Sequence, residues 1–278
     1  MSLKDYIKRG VTYILHGVPV KYITAQVCYL QPMERLKGKK IVITGGGRGL
    51  GYAMAKKFIS EGAEVLIAGR DENILKEKSN ELNCPYLKLD VQNVDSFDQF
   101  IIDADKLLCG FDTLINNAGI SLHEGNIEYV SQEQFDSQIS TNLRGGYFLS
   151  QKYVKYFKQQ KINSGNILFI SSERGIYVDD LPYGITKAAI NSFVQGLANR
   201  LLPIGIRVNA LAPGVTTSDM TGYKSDGNLW AEYNINERVY LPEEVAEIAC
   251  FIISDSAKCL SGQIIVCNEG KSINAHWR

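Results

Sequence analysis

Two stretches of this chain hold groups whose type and spacing could do chemistry. Residues 40–51 read Lys-Ile-Val-Ile-Thr-Gly-Gly-Gly-Arg-Gly-Leu-Gly. The apolar run Ile41–Ile43 predicts a buried strand, and Leu50, Met54, Ala55, Phe58 and Ile59 follow at helical spacing. Glycines permit a sharp turn and a close backbone approach, so the free N–H groups of the new helix would face a bulky anion such as a phosphate. Further on, Tyr183 and Lys187 stand four residues apart, on one face of any helix that contains them. A free phenol titrates near about 10, and a neighbouring ammonium is what would favour its ionised form at neutral pH. Taken alone, the glycine run is also an ordinary turn and the Tyr-Lys pair an ordinary surface contact.

The elements that must position these groups alternate along the sequence. Strands are predicted at 40–44, 64–68, 85–89, 112–116, 165–171, 205–211 and 263–267. Helices are predicted at 49–61, 72–82, 94–107, 131–160, 183–202 and 242–254. Continuous apolar strands such as Ile167-Leu168-Phe169-Ile170 are expected where helices cover both faces of a sheet. Repeated βα units imply right-handed crossovers, hence an α/β fold with a doubly wound, open parallel sheet of Rossmann type. Such sheets bind ligands beyond the carboxyl ends of their strands. There the chain carries Asn116-Asn117-Ala118-Gly119, Ser171-Ser172 and Pro213-Gly214.

This ordered set resembles the short-chain dehydrogenase/reductase family, in its single-domain branch, over residues 37–273. The resemblance rests on Thr44-Gly45-x-x-x-Gly49-x-Gly51, Asp90-Val91, Asn116-Asn117-Ala118-Gly119, Asn142, Ser172, Tyr183-x-x-x-Lys187 and Pro213-Gly214. It implies an oxidoreductase moving a hydride between a nicotinamide and a carbonyl or secondary alcohol. Tyr183 would be the acid/base and Lys187 would support its charge and hold the nicotinamide ribose. Ser172 would bond the substrate oxygen, and Asn142 would support a water that relays protons past Lys187. Gly175 favours Ser172 over Ser171 as the catalytic hydroxyl.

The resemblance also implies a cofactor site made by Thr44, Gly45, Arg48, Gly49, Leu50, Gly51, Arg70, Asp90, Val91, Asn117, Ala118, Gly119, Tyr183, Lys187, Pro213, Gly214, Thr216 and Ser218. Asp90 and Val91 would flank the adenine, Asn117 and Gly119 would line the adenosine ribose, and Thr216 and Ser218 would meet the nicotinamide amide. Gly69 stands where an acidic residue would bind the ribose hydroxyls, and Arg70 and Arg48 can make bidentate bonds to a 2′-phosphate. NADP(H) is therefore expected, with NAD(H) the alternative if Asp71 reaches the ribose.

Residues 216–240 are expected to form a lid. Its Met220, Tyr223, Lys224, Trp230, Tyr233 and Arg238, with Tyr177, Asp179 and Asp180 beside the substrate, suit a polar, polyhydroxylated substrate. The last strand ends in Asn268-Glu269-Gly270, where relatives often carry Asp-Gly-Gly. A homodimer or homotetramer through the helices at 131–160 and 183–202 is implied as well. The competing readings are a cofactor-binding regulator or scaffold without turnover, and a nucleotide-sugar epimerase or dehydratase. An intact Asn142, Ser172, Tyr183 and Lys187 disfavours the first. The glycine spacing and the small carboxyl-terminal part disfavour the second.

Composition limits the remaining possibilities. The 278 residues hold 30 Lys plus Arg against 30 Asp plus Glu, which gives no global electrostatic case for nucleic acid. Six cysteines without a C-x-x-C pair point to reduced thiols in a cytoplasm, and His16, His123 and His276 lack metal-ligand spacing, so no metal is expected. No apolar run approaches the length of a membrane span. Residues 1–36 form a separate region. Leu3, Tyr6, Ile7, Val11, Ile14 and Leu15 share one helical face, Gly17-Val18-Pro19 ends that helix, and 20–30 reads as a strand or arm. The helix and arm would pack on the main domain at 37–278 or on a neighbouring subunit. Alternatively, residues 3–15 would rest on a membrane surface.

Overall fold

The computed structural model describes residues 21–25 and 34–273. The helix expected at 3–15 and most of the arm at 20–30 lie outside the described residues. Seven parallel strands form one sheet in the order β3-β2-β1-β4-β5-β6-β7. They are β1 (Lys40–Thr44), β2 (Glu64–Gly69), β3 (Tyr86–Lys88), β4 (Thr113–Asn116), β5 (Gly165–Ile170), β6 (Ile206–Pro213) and β7 (Ile264–Cys267). The strand order reverses between β1 and β4, which creates a crevice at the carboxyl ends of those two strands.

Alternate residues of each central strand enter different cores. Val42, Leu114, Ile167, Phe169 and Val208 pack with α3 (Phe97–Leu108), α5 (Gly146–Gln159) and α6 (Pro182–Leu201). Ile41, Ile43, Ile115, Leu168 and Leu211 pack with α1 (Gly49–Ser60) and α7 (Pro242–Ile253) on the other face. Burial on both faces is why the strands read as unbroken apolar runs. The remaining helix before β3 is α2 (Glu72–Leu82), whose N-cap Asp71 accepts a bond from the Ile74 amide at 3.2 Å.

The segment 131–160 is not the single helix that its periodicity predicts. Ser131 caps α4 (Gln132–Gln138) in a capping box with Gln134, a π-helical stretch spans Ile139–Gly145, and α5 follows. The stretch buries Thr141, Asn142 and Gly145, and Asn142 is only 4% exposed. The Gly145-Gly146 pair lets it sit against the sheet. A Cβ on Gly145 would lie 2.5 Å from the Val91 carbonyl oxygen, and one on Gly146 would lie 3.1 Å from the Phe169 ring.

Residues 214–241 fold over the carboxyl ends of the strands as a lid. It contains small sheet contacts, parallel between Thr216 and Tyr240 and antiparallel between Trp230 and Arg238. Leu229, Ala231, Val239 and Leu241 give it a hydrophobic cluster of its own.

Candidate active site

The glycine turn between β1 and α1 is shaped by its neighbours on β4. The Thr44 hydroxyl accepts the Asn117 and Ala118 amides, each at 3.1 Å, and the Asn117 side-chain amide donates to the carbonyls of Thr44 (2.9 Å) and Gly45 (3.1 Å). A Cβ on Gly45, whose φ is +66°, would lie 2.9 Å from that same Asn117 nitrogen, so only glycine fits. A Cβ on Gly51 would collide with the Gly45 carbonyl. Asn117 thus holds the turn in shape in addition to standing at the crevice. Leu50 faces the other way, against the core beneath α1.

The turn fits a phosphate. No side chain caps α1 and no acidic residue stands in its first turn, so its leading amides keep their partial positive charge. Arg48 is exposed and pairs with Asp71 at 3.3 Å and with Asp219 of the lid at 3.5 Å. Arg70 is exposed at the end of β2, and Asp90 and Val91 follow β3, where the Asp90 carboxylate accepts the Gln92 amide at 3.0 Å. Across the turn, Ser218 of the lid comes within 3.7 Å of the Cβ position of Gly49, and its hydroxyl accepts the Thr221 amide. Thr216 bonds the Gly214 carbonyl at 3.0 Å, and Gly214, after Pro213, donates to Cys267 at 2.9 Å. A cleft of about 330 Å³ runs between Gly49, Tyr52 and the lid at Thr217–Ser225.

The acid-base groups converge where β4, β5, the π segment and α6 meet. The Ser172 hydroxyl accepts the Arg174 amide at 3.2 Å and hydrogen-bonds the Tyr183 phenol. Lys187, 4% exposed, lies 5.5 Å from the Tyr183 ring centroid and donates to the Ile170 carbonyl at 2.8 Å. Burial pulls its ammonium down to about 8. Burial also raises the Tyr183 phenol, against the opposing pull of the Ser172 hydrogen bond and the Arg174 charge. In the protein by itself, burial thus holds the Tyr183 phenol above its ordinary value.

Asn142 anchors the site to the loop after β4. Its side chain exchanges two bonds with the Ile120 backbone and reaches the Thr186 hydroxyl at 3.3 Å. The Cβ position of Gly119 lies 3.4 Å from the Asn142 oxygen and 3.5 Å from the Lys187 nitrogen, so this glycine borders both groups. A cavity of about 10 Å³ is lined by Asn142, Lys187, Thr141, Asn116 and Phe169. That is room for about one water, at the place expected for a relay. Among the described residues no cluster of His, Cys, Asp or Glu could hold a metal ion.

The two serines of the β5 end have different partners. Ser171 is bonded to Asn191 (2.7 Å) and the Lys187 carbonyl (3.3 Å), so Ser172 is the hydroxyl that faces Tyr183. Of the residues expected beside the substrate, Asp180 is exposed, and Asp179 and Tyr177 have partners within the protein. Asp179 is buried against the first turn of α6 and held by Arg174, with one bond of 2.8 Å, and by the Leu181 amide. Tyr177 is bonded to Glu173 at 3.2 Å.

Glu173, Thr186 and the Ile170 carbonyl were not singled out by their motifs. Thr186 lies inside Tyr-x-x-x-Lys, yet spacing alone does not show that it bonds both Asn142 and the Tyr183 carbonyl (2.7 Å). Glu173, 4% exposed, accepts Asn268 at 3.0 Å and Lys271 at 3.2 Å. This accounts for Asn268: a carboxylate in its place would confront Glu173, whereas the amide donates to it. Glu269 adopts φ +53°, the left-handed region that favours glycine.

A family model described as enoyl-(acyl carrier protein) reductase matches residues 45–272. The chain belongs to the short-chain dehydrogenase/reductase family of oxidoreductases. It is 31% identical over 228 residues to an uncharacterized oxidoreductase of Staphylococcus aureus (strain USA300), covering 80% of this chain and 94% of that one. It is 30% identical over 258 residues to a sorbose reductase of Schizosaccharomyces pombe, covering 86% of this chain and 97% of the relative. A crystal structure of a 3-ketoacyl-(acyl-carrier-protein) reductase from Brucella melitensis complexed with NADH superposes with a TM-score of 0.79 at 29% identity. That likeness covers 86% of this chain and all of the other.

Proposed function

We propose that this short-chain dehydrogenase/reductase is an NADP(H)-dependent reductase of a polar carbonyl compound. The observation that carries the reading is the convergence of Ser172, Tyr183, Lys187 and Asn142 beside the glycine turn. A bound nicotinamide would supply or accept the hydride. Thr44, Gly45, Gly49, Gly51, Asn117 and Gly119 would shape its cradle, with Arg48 and Arg70 at the adenosine end.

Ser172 orients the carbonyl oxygen, and the protonated Tyr183 hands it a proton as the carbon is reduced. Lys187 and the Asn142 cavity lead a replacement proton to Tyr183 Oη. The protonated phenol is the form that donates in the reductive direction.

The 2′-phosphate preference is supported by two exposed arginines, Arg48 and Arg70. A polar substrate is supported by the lid's Tyr223 and Tyr233 hydroxyls and by the likeness to a sorbose reductase. Self-association through α4–α6 is supported by exposed Phe135, Tyr147 and Ile185 on that face. The same reading places the enzyme in the cytoplasm. Calorimetric titration with NADPH and with NADH tests it: tight, NADPH-selective binding is expected, and binding of neither overturns it.

A further inference from the structure

The lid is not self-contained. Its backbone bonds run from Thr217 and Val215 to Tyr240, then from Val239 to Leu229, each at 2.9 Å. Leu229 has a second neighbour outside the lid, because its amide donates to the Ile23 carbonyl at 3.0 Å. Asn228 fastens the same segment with both ends of its side chain. Its oxygen accepts the Ile23 amide at 3.0 Å and its nitrogen donates to the Lys21 carbonyl at 3.0 Å. Lys21 pairs with Glu237 across the lid's hairpin at 2.5 Å, and Ala25 packs on the Leu229–Leu241 cluster. Burial alternates over residues 22–25: Tyr22 and Thr24 are exposed, Ile23 and Ala25 are not. That is the pattern of an edge strand with one covered face.

We propose that residues 21–25 are the outer strand of the lid, and that Asn228 is the positioning residue that clamps them there. The family match covers residues 45–272, so this segment lies outside it. A continuous path of hydrogen bonds leads from it to Thr217, next to Thr216 and Ser218. Ser218 faces the glycine turn, and the adjoining Asp219 pairs with Arg48. A lid of short strands with little apolar area opens readily unless its edges are held. The strap thus sets how firmly the lid closes over cofactor and substrate, a role that rests on the functional reading above.

The test uses the full chain with Asn228→Ala, Ile23→Pro (which removes the bonded amide) and the charge reversals Lys21→Glu and Glu237→Lys, singly and together. Hydrogen exchange of peptides covering 215–241 is compared with that of β1 and β5, and NADPH affinity is measured by calorimetry. Asn228→Ala and Ile23→Pro are each expected to speed lid exchange about tenfold or more while β1 and β5 stay unchanged. NADPH affinity should weaken about tenfold in both, since the lid contacts depend on closure. The double reversal should restore what each single reversal loses. Lid exchange equal to wild type in both Asn228→Ala and Ile23→Pro would overturn the clamp. Wild-type protein that binds neither NADPH nor NADH would instead overturn the functional reading, while the exchange data still judge the clamp.

Discussion

Asn142 grips Ile120 by both backbone groups: its oxygen accepts the Ile120 amide and its nitrogen donates to the Ile120 carbonyl, each at 2.8 Å. One side chain on the π segment therefore sets the height of the loop that follows β4, next to Lys187. Replacement by leucine would leave two part-buried backbone groups without this partner. Asn142→Leu is expected to lose roughly 1–3 kcal/mol of stability in urea unfolding and most of the turnover. Stability equal to wild type would show that the grip is not needed.

Tyr183→Phe removes only the transferable proton. Turnover should fall about 10²–10⁴-fold with NADPH affinity retained. Ser172→Ala should resemble it, whereas Ser171→Ala should act on stability, because Ser171 ties β5 to Asn191 and the Lys187 carbonyl. A Tyr183→Phe protein with full activity would contradict the assignment of the acid.

Lys187 predicts a pH dependence. Its ammonium titrates near 8 in the fold against 10.5 for the ordinary side chain. Below pH 8 both folded and unfolded chains hold the proton, so the cost of burying it is fully present. Between 8 and 10.5 the folded chain sheds it first, and stability rises relative to a variant lacking the group. Wild type should thus gain on Lys187→Met in denaturant melts as pH rises through that window. Reductive kcat/KM should be level below pH 7 and fall above about 8.

Arg48→Ala and Arg70→Ala address the choice of cofactor. Each should weaken NADPH binding by about tenfold or more, the worth of a charge-assisted bond of roughly 1.5–3 kcal/mol, and leave NADH nearly unchanged. Equal losses for both cofactors would place the arginines away from the 2′-phosphate.

Much of the site was legible because its chemistry is local in sequence. The glycines, the Tyr183-x-x-x-Lys187 spacing and the strand ends are short-range patterns, and helical or strand period alone puts them at one edge of the sheet. The π segment was hidden, since hydrophobic periodicity over 131–160 reads the same with or without one widened turn. Gly145-Gly146 was its only sequence trace.

The sequence by itself determined the alternation of elements, the parallel sheet, the glycine turn and the positions of the residues proposed for acid-base chemistry. The tertiary structure alone decided which polar groups are already engaged. Asp179 reaches Arg174, Asn268 reaches Glu173, and Asn228 reaches residues 21 and 23, more than 200 positions away. It also decided that burial raises the Tyr183 phenol against the pull of Ser172 and Arg174. Desolvation and hydrogen-bond partnership depend on what surrounds a side chain in space, and no spacing along the chain encodes that surrounding.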